Sequence, residues 1–275
     1  MKKVVLITGA SAGMGKETAK FLAKNEYVVF GAARRVDKMN DLQQYGVRLL
    51  SMDVTDDASM VAGINEIMRS EGRIDVLINN AGFGSYGAVE DVSITDAKYQ
   101  LNVNLFGAAR LIQLVLPFMR QQKSGKIVNI SSIGGKIATP LGGWYHASKF
   151  ALEGLSDTLR NEVKSFGIDV ILIEPGGVKS EWGNIAFENL MRVSGHTAYK
   201  PLTDSFSSAF KATEDKNPEP IIIAELIRKS IEAKRPKARY VAGFMAKPAV
   251  IARKLLSDRM MDKMIMSQMK SLAKQ

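Results

Sequence analysis

The sequence contains no cysteine, and it has only two histidines, His146 and His196. Without cysteine the protein cannot form disulfides, use a thiolate nucleophile or bind a metal through sulfur. Two histidines argue against a histidine-rich metal site or a histidine-based triad, so no metal site is predicted. Long apolar runs are also missing. The run after the basic N-terminus stops at Gly9, too short for a signal-peptide core, and no stretch resembles the ~18 apolar residues of a membrane span. We therefore expect a cytoplasmic protein.

Basic residues outnumber acidic ones, but the excess lies at one end of the chain. The net charge is +10, and residues 234–275 hold eleven Lys and Arg against two Asp. The preceding 233 residues carry a net charge of only +1. A globally basic surface is therefore not indicated, and no nucleic-acid partner is predicted. The positive charge is a property of the tail alone.

Short runs of Val, Ile and Leu alternate with longer helical segments along the first two-thirds of the chain. The runs lack apolar–polar alternation, which indicates strands covered by helices on both faces. Strands separated by helices imply right-handed crossovers, so the pattern predicts an α/β fold with a doubly wound parallel sheet. The predicted strands are 3–8, 27–33, 47–54, 74–80, 125–131, 168–176 and 238–243, and the predicted helices end near Lys24 or span about 57–70, 96–121 and 145–166.

We expect one catalytic domain over residues 1–243 and a basic helical extension over 244–275. Residues Gly183 to Pro220 lose periodicity, so an irregular insertion of helix and loop is expected at about 179–215. In the extension, Ser257–Asp258 would start the second of two helical segments. The extension fits a basic amphipathic surface for anionic membrane, or two helices that cover the pocket or a subunit contact. The second interpretation is favoured because methionine is a flexible gap-filler.

A glycine-rich turn, "TGASAGMG", follows the first predicted strand at Thr8–Gly15. Its glycines stand at 9, 13 and 15, in the spacing G-x-x-x-G-x-G. A tight turn without Cβ atoms lets the backbone approach a pyrophosphate at the positive N-terminus of the following helix. The alternative is an ordinary glycine-rich connection. The position directly after the first strand favours a dinucleotide site.

Tyr145 and Lys149 lie four residues apart in "GGWYHASKFALEGL", at the start of a predicted helix. Four residues place both side chains on one helical face. A nearby ammonium favours the phenolate and lowers the pKa of a tyrosine, which would suit it to general acid/base work. The spacing alone is no rarer than chance, so the pair needs support from the rest of the chain.

That support comes from a series of motifs in a fixed order, which resembles the classical short-chain dehydrogenase/reductase family, and within it most the steroid/retinol dehydrogenase-like group. The resemblance covers about residues 3–182 and implies a Rossmann fold. Small departures are Met14 in place of Ile and Ser180 in place of Thr. The motifs are T-G-x-x-x-G-x-G at Thr8–Gly15, Asp53, N-N-A-G at Asn79–Gly82, Asn104, Ser132, Y-x-x-x-K at Tyr145–Lys149 and P-G at Pro175–Gly176.

The resemblance implies four catalytic residues: Asn104, Ser132, Tyr145 and Lys149. Tyr145 would be the general acid/base, supported by Lys149, which would also bind the nicotinamide ribose. Ser132 would hold the substrate oxygen, and Asn104 would anchor a water between Lys149 and solvent. The function expected is oxidoreduction between an alcohol and a ketone or aldehyde. The alternative is a dinucleotide-binding sensor or scaffold without turnover.

The same resemblance implies the cofactor site. Arg34 and Arg35 follow the second strand, where an arginine accommodates the 2′-phosphate of NADP, so NADP is favoured over NAD. The glycine turn has Ala12 where some NADP enzymes of the family carry a further basic residue. The expected cofactor-binding residues are Gly9, Ser11, Gly13, Met14, Gly15, Arg34, Arg35, Asp53, Val54, Asn80, Ala81, Gly82, Tyr145, Lys149, Pro175, Gly176 and Val178.

The expected substrate contacts are Ser132, Tyr145 and Trp144, within an apolar and aromatic wall. Such a wall favours a bulky hydrophobic carbonyl or alcohol, although the same residues could simply pack. A homodimer or homotetramer is expected through the helices near 96–121 and 145–166. His146 is interpreted as structural or exposed, and His196 receives no role. The further wall residues are Phe83, Tyr86, Ile137, Leu141, Trp182, Ile185, Phe187 and Leu190.

Overall fold

The computed structural model describes residues 2–272, apart from the side chain of Trp182. Seven strands form one sheet in the order β3-β2-β1-β4-β5-β6-β7, and every neighbouring pair is parallel. The predicted doubly wound sheet is therefore confirmed. The strands are β1 (Val4–Thr8), β2 (Val28–Ala33), β3 (Arg48–Ser51), β4 (Val76–Asn79), β5 (Gly125–Ile130), β6 (Ile168–Pro175) and β7 (Arg239–Ala242).

Helices cover both faces of the sheet. A run of 3-10 turns at Val36–Tyr45 joins β2 to β3, and a π-helical turn at Asn102–Phe106 joins two helices into one continuous segment. The α-helices are α1 (Gly13–Lys24), α2 (Asp57–Glu71), α3 (Ile94–Leu101), α4 (Gly107–Gln122), α5 (Gly143–Val163), α6 (Glu181–Ser194), α7 (Lys200–Glu214), α8 (Ile221–Glu232), α9 (Ala246–Leu255) and α10 (Asp258–Leu272).

Each face of the sheet has its own apolar core. On one face, α2, α4 and α5 contribute residues such as Ile67, Leu111 and Leu159. On the other, α1 and α8 contribute residues such as Leu22 and Ile227. Burial on both faces explains why the strand sequences are continuously apolar. The strand order reverses between β1 and β4, and ligands of open parallel sheets bind at such a reversal.

The region after β6 is more regular than the sequence indicates. The expected irregular insertion forms two helices, α6 and α7. Their inward positions include the hydroxyl residues Ser194, Thr203 and Ser207, all of which are buried. Small polar residues at core positions hide the helical period of apolar residues. Pro201 lies in the first turn of α7 and does not break it, since a first-turn proline gives up no helical hydrogen bond.

One continuous helix, Ile94–Gln122, is long and apolar enough by composition to cross a membrane, unlike the expectation from the sequence. Its buried residues include Leu111, Val115 and Met119, which pack in the core beside the sheet. The helix therefore has the packing of a core helix. Among the described residues no other helix meets the same criterion.

Candidate active site

The glycine turn leads from β1 into α1 at the carboxyl edge of the sheet. Gly9 and Gly13 have φ angles of +68° and +52°, which residues with a side chain rarely adopt. Helix α1 follows Ala12, which has no side chain that could cap the first N–H groups, and its first turn holds no acidic residue. An uncapped helix N-terminus leaves backbone donors and a positive dipole end for an anion. This geometry fits a pyrophosphate.

Asn80 holds the glycine turn against β4. Its Nδ2 donates to the Thr8 carbonyl oxygen at 2.9 Å, and its N–H donates to the Thr8 Oγ1 at 3.1 Å. A Cβ on Gly15 would lie 2.3 Å from both the Asn80 Nδ2 and the Gly9 carbonyl oxygen. Gly15 is therefore required for the close approach of helix and strand.

A cleft of about 450 Å³ opens beside this turn. Five predicted cofactor residues lie outside its lining: Tyr145, Lys149, Pro175, Gly176 and Val178. Gly176 instead donates to the Ala242 carbonyl oxygen of β7. Residues that the sequence interpretation missed include Tyr99, Ser180 and Glu181. The predicted residues that line the cleft are Gly9, Ser11, Gly13, Met14, Gly15, Arg34, Arg35, Asp53, Val54, Asn80, Ala81 and Gly82.

The two arginines after β2 have different surroundings. Arg34 donates from Nη1 to the Tyr99 hydroxyl at 2.7 Å. Arg35 faces the glycine turn, with its Nη2 3.5 Å from the Ser11 Oγ and 4.0 Å from a Glu181 carboxylate oxygen. Both members of the Arg35–Glu181 pair are half-exposed, and such a pair contributes only about 0–1 kcal/mol. A phosphate could therefore replace Glu181 as the partner of Arg35.

Asp53 and Val54 form the wall of the cleft after β3. The Asp53 Oδ1 accepts hydrogen bonds from the Thr55 N–H at 2.9 Å and from the Thr55 hydroxyl at 2.8 Å. Val54 lies against Gly107, where a Cβ would come within 2.4 Å of the Val54 carbonyl oxygen. The carboxylate is thus oriented by its own turn and faces the cleft.

Tyr145 is buried at the start of α5, next to Ser132. The Ser132 Oγ accepts from the Gly134 N–H at 2.9 Å, which caps a short turn at Ile133–Gly135. Burial raises the pKa of Tyr145 to about 12, and its hydrogen bond with Ser132 acts in the opposite direction. The expectation that Lys149 lowers this pKa is therefore wrong for the chain by itself, because burial has the largest effect and the opposing effect comes from Ser132. The phenol is protonated at neutral pH.

Lys149 lies one turn further along α5, on the same side as Tyr145. Its Nζ donates to the Ile130 carbonyl oxygen at 2.8 Å and lies 6.0 Å from the centre of the Tyr145 ring. Burial lowers the pKa of Lys149 to about 8, while the charge of Glu153 raises it. The ammonium form therefore predominates at neutral pH, beside the neutral phenol.

Asn104 lies in the π-helical turn and joins α5 to the loop after β4. Its Nδ2 donates to the Phe83 carbonyl oxygen at 2.9 Å and to the Ser148 Oγ at 3.0 Å, and its Oδ1 accepts from the Phe83 N–H at 3.0 Å. A Cβ on Gly82 would lie 3.2 Å from the Asn104 Oδ1 and 3.6 Å from the Lys149 Nζ. Asn104 and Lys149 thus face a common gap that only a residue without a side chain leaves open.

His146 is buried and has a structural role. Its Nε2 accepts from the Thr139 N–H at 3.0 Å, and its Nδ1 lies 3.0 Å from the Gly134 carbonyl oxygen. The two bonds require the tautomer with the proton on Nδ1. Burial lowers the pKa of His146, so the ring is neutral at pH 7. The histidine holds the segment before α5 against the turn after Ser132.

An apolar cluster surrounds Tyr145 on the side away from Lys149. The ring of Tyr86 lies 5.9 Å from that of Tyr145 and 5.7 Å from that of Phe206. Leu141 has a φ of +67°, an unfavourable conformation held by its burial and by the Gly87 N–H, which donates to its carbonyl oxygen at 2.8 Å. The other members are Ala88, Ala186 and Leu190, with Tyr199 and Leu202 packed against them.

The remaining predicted wall residues are dispersed. Phe83 packs on Tyr99, with ring centres 5.6 Å apart, and the Phe187 ring lies under the Lys211 ammonium at 5.1 Å. The Trp144 Nε1 is buried and has no hydrogen-bond partner among the described residues. The side chain of Trp182 lies outside the described residues. Ile137 is half-buried, and Ile185 is exposed and lines the cofactor cleft.

Tyr199, Leu202 and Phe206 pack against the apolar cluster beside Tyr145 and were missed by the sequence interpretation. Their spacing of three and four residues places them on one face of α7 and its N-cap. This spacing is visible in the sequence and could have identified them. The buried hydroxyl residues beside them made the segment look irregular.

Comparison with known proteins agrees with this geometry. A family model described as short chain dehydrogenase matches residues 3–189. A 3-ketodihydrosphingosine reductase of Bacteroides thetaiotaomicron is 38% identical over 245 residues, which is 88% of each chain. An NADPH-dependent 3-dehydrocapnine reductase of Ornithobacterium rhinotracheale is 33% identical and aligns over 99% of both chains. The crystal structure of a short-chain dehydrogenase from Streptomyces avermitilis superposes with a TM-score of 0.80 at 31% identity, covering 92% of each chain.

Proposed function

The chain belongs to the short-chain dehydrogenase family and is an oxidoreductase, and we propose that it uses NADPH to reduce the ketone of a long-chain, amphiphilic substrate. The observation that carries this proposal is the placement of the buried Tyr145 phenol, which forms a hydrogen bond with Ser132 and whose ring centre lies 6.0 Å from the Lys149 Nζ. A group that holds its proton at neutral pH is suited to donate it to an oxygen that gains charge. Carbonyl reduction requires that donation.

Each polar group around Tyr145 has a separate task in this reaction. When bound, the reduced nicotinamide supplies a hydride to the carbonyl carbon. Ser132 donates a hydrogen bond to the carbonyl oxygen, and Tyr145 transfers its proton to the same oxygen. Lys149, as an ammonium one turn away, stabilises the phenolate that remains. The gap at Gly82, between Asn104 and Lys149, provides room for a water that returns the proton.

NADP is proposed over NAD because of the arginines at the end of β2. Arg35 faces the glycine turn, and a guanidinium suits a phosphate because it donates two parallel hydrogen bonds. Arg34 is held by Tyr99 at the same edge of the cleft. The 3-dehydrocapnine reductase that aligns with nearly the whole chain is named as NADPH-dependent.

The substrate class rests on the apolar cluster and on two relatives. Tyr86, Leu141, Leu190 and Phe206 offer hydrocarbon and aromatic surface directly beside the Tyr145 ring. Both relatives described above are named for reducing an oxo group at carbon 3 of a compound. A ketodihydrosphingosine is a long-chain amino ketone, whose hydrocarbon chain matches such a pocket. We therefore propose a 3-oxo group on a long-chain base as the reacting centre.

The test is NADPH oxidation with 3-ketodihydrosphingosine, compared with a short ketone such as butanone. We expect kcat/KM to be at least a hundredfold higher for the long-chain ketone. Tyr145→Phe should lose at least a thousandfold in kcat, while its Kd for NADPH stays within about threefold. Equal rates with both ketones would contradict the substrate class. Tight NADPH binding with no turnover of any carbonyl would instead favour a dinucleotide sensor.

We also propose that the chain forms a homodimer or homotetramer through α4 and α5. An outer groove between these helices is lined by apolar residues such as Leu116, Pro117 and Leu159. Phe166, just after α5, is a large aromatic residue that lines this groove and is exposed. Exposed aromatic residues of this kind are typical of interfaces. Sedimentation velocity should give a dimer or larger species, and Phe166→Glu should weaken it.

A further inference from the structure

The basic extension carries large apolar side chains in solvent. Ile251 and Leu255 on α9 are 56% and 77% exposed, and Met260 on α10 is 54% exposed. Lys247 and Lys254 lie on the same stripe of α9, since positions 247, 251, 254 and 255 share one helical face. We call this face of α9 the tail surface, formed by Lys247, Ile251, Lys254 and Leu255.

The pattern of buried and exposed residues on α9 is the reverse of that on an ordinary surface helix. Its buried residues are Ala246 and Ala249, whereas Ile251 and Leu255 point to solvent. A surface helix normally buries its largest apolar residues and exposes small or charged ones. The buried residues Ala246 and Ala249 are enough to pack α9 against the domain. The larger ones are therefore available for a separate partner.

The charge of the extension indicates what that partner is. Seven Lys and Arg stand against two Asp over residues 244–275. One of these acids, Asp258, is paired with Arg253 at 2.8 Å. A second copy of this chain related by a two-fold axis would bring like charges together, which is unfavourable. Exposed Ile, Leu and Met among lysines and arginines match the headgroup and acyl boundary of an anionic bilayer.

The tail surface lies next to the proposed active site. Helix α9 packs against β7 and against the turn that follows Ser132. Helix α10 packs against α7, and residues of α7 such as Leu202 and Phe206 pack around Tyr145. Met261 and Met269 of α10 are buried. The buried methionines thus pack within the fold, while the α9 stripe is exposed to solvent.

We propose that the tail surface docks on an anionic lipid bilayer and holds the turn after Ser132 and the apolar cluster around Tyr145 near the membrane. The lysines bind lipid phosphate groups, and Ile251 and Leu255 enter the acyl boundary. This proposal deepens the proposed function and rests on it, because a long-chain ketone resides in a bilayer. Docking would allow that substrate to reach Tyr145 without crossing water.

The experiment is co-sedimentation of the full chain with vesicles of phosphatidylglycerol and phosphatidylcholine, or of phosphatidylcholine alone. Tyr145→Phe is used throughout, so binding is measured without turnover. We expect binding to the anionic vesicles to fall at least tenfold on addition of high salt and at least tenfold in the Ile251→Glu variant. Ile94→Glu is the matched control, since Ile94 is 59% exposed and lies at the start of α3.

Three results would overturn the proposal: no binding to anionic vesicles, equal losses for Ile251→Glu and Ile94→Glu, or an Ile251→Glu variant whose only change is a smaller assembly in sedimentation velocity. The last result would assign the tail surface to a second copy. Failure of docking and failure of the proposed function are distinguishable. A chain that reduces 3-ketodihydrosphingosine in detergent but ignores vesicles loses only the docking proposal. A chain that binds vesicles and reduces no long-chain ketone loses only the function.

Discussion

Replacement of Glu153 by Gln tests how the chain controls the protonation of Lys149. Glu153 lies one turn beyond Lys149 on α5, and its side chain is only 6% exposed. Its Oε2 accepts from the Lys136 Nζ at 2.5 Å and lies 3.1 Å from an Arg239 guanidinium nitrogen. Burial lowers the pKa of Lys149, and the charge of Glu153 partly restores it, to about 8. The carboxylate therefore helps to keep Lys149 protonated.

The substitution should lower the pKa of Lys149 from its value of about 8, because a nearby opposite charge typically shifts a pKa by about one unit or more. Lys136 and Arg239 remain in the variant, with Glu174 as their buried partner. Their positive charges also lower the pKa of Lys149, as does the loss of the Glu153 carboxylate. Activity requires protonated Lys149. In the variant, the decline of activity at alkaline pH should therefore begin at a lower pH than in the native chain. The loss should be small at pH 6, about fivefold at pH 8 and close to tenfold at pH 9.

The assay is the pH profile of kcat/KM for NADPH, which reports the groups of the free enzyme. Asp157→Asn is the matched control. Asp157 also binds Arg239, at 2.6 Å, but it lies one turn further from Lys149 and its side chain is 42% exposed. Asp157→Asn should leave the alkaline limb in place, and Glu153→Asp should largely restore it. A Glu153→Gln profile that is lowered equally at every pH would refute the reasoning and leave Glu153 a structural residue.

Three further predictions concern the cofactor cleft and its support. Arg35→Ala should raise the Kd for NADPH roughly tenfold to a hundredfold but leave the Kd for NADH within about twofold. Arg34→Ala should have a smaller effect, because Arg35 is the arginine that faces the glycine turn. Equal losses for both cofactors would contradict the NADP assignment. Gly15→Ala should lower the free energy of unfolding by about 1–3 kcal/mol and abolish measurable NADPH binding, because the new Cβ would press on the Gly9 carbonyl. Calorimetry would measure both effects. His146→Ala should cost about 2 kcal/mol without changing the Kd for NADPH. Since burial lowers the pKa of His146, the native chain should lose stability as the pH falls below about 6.5, and the variant should lose less in a series of thermal melts.

Local patterns were enough to predict the sheet and the position of the glycine turn. Continuous runs such as that of β6 indicate a strand buried on both faces, and the intervening helices require a parallel arrangement. The turn from Thr8 to Gly15 needs glycine at fixed positions, because two of them have positive φ and the third touches a neighbouring backbone. The spacing of Tyr145 and Lys149 fixes a shared helical face. These features depend on residues close together in the chain, so they can be predicted from the sequence.

Contacts between distant segments decided the rest. The sequence indicates that Lys149 should lower the pKa of Tyr145, but burial among Tyr86 and other pocket residues raises it to about 12. Which arginine faces the glycine turn depends on Tyr99, which lies 65 positions after Arg34 and binds it. The helices α6 and α7 bury hydroxyl residues that no apolar period reveals. Desolvation and pairing are set by the groups that the fold brings near a side chain, so only the tertiary structure could determine the direction in which the pKa of Tyr145 shifts.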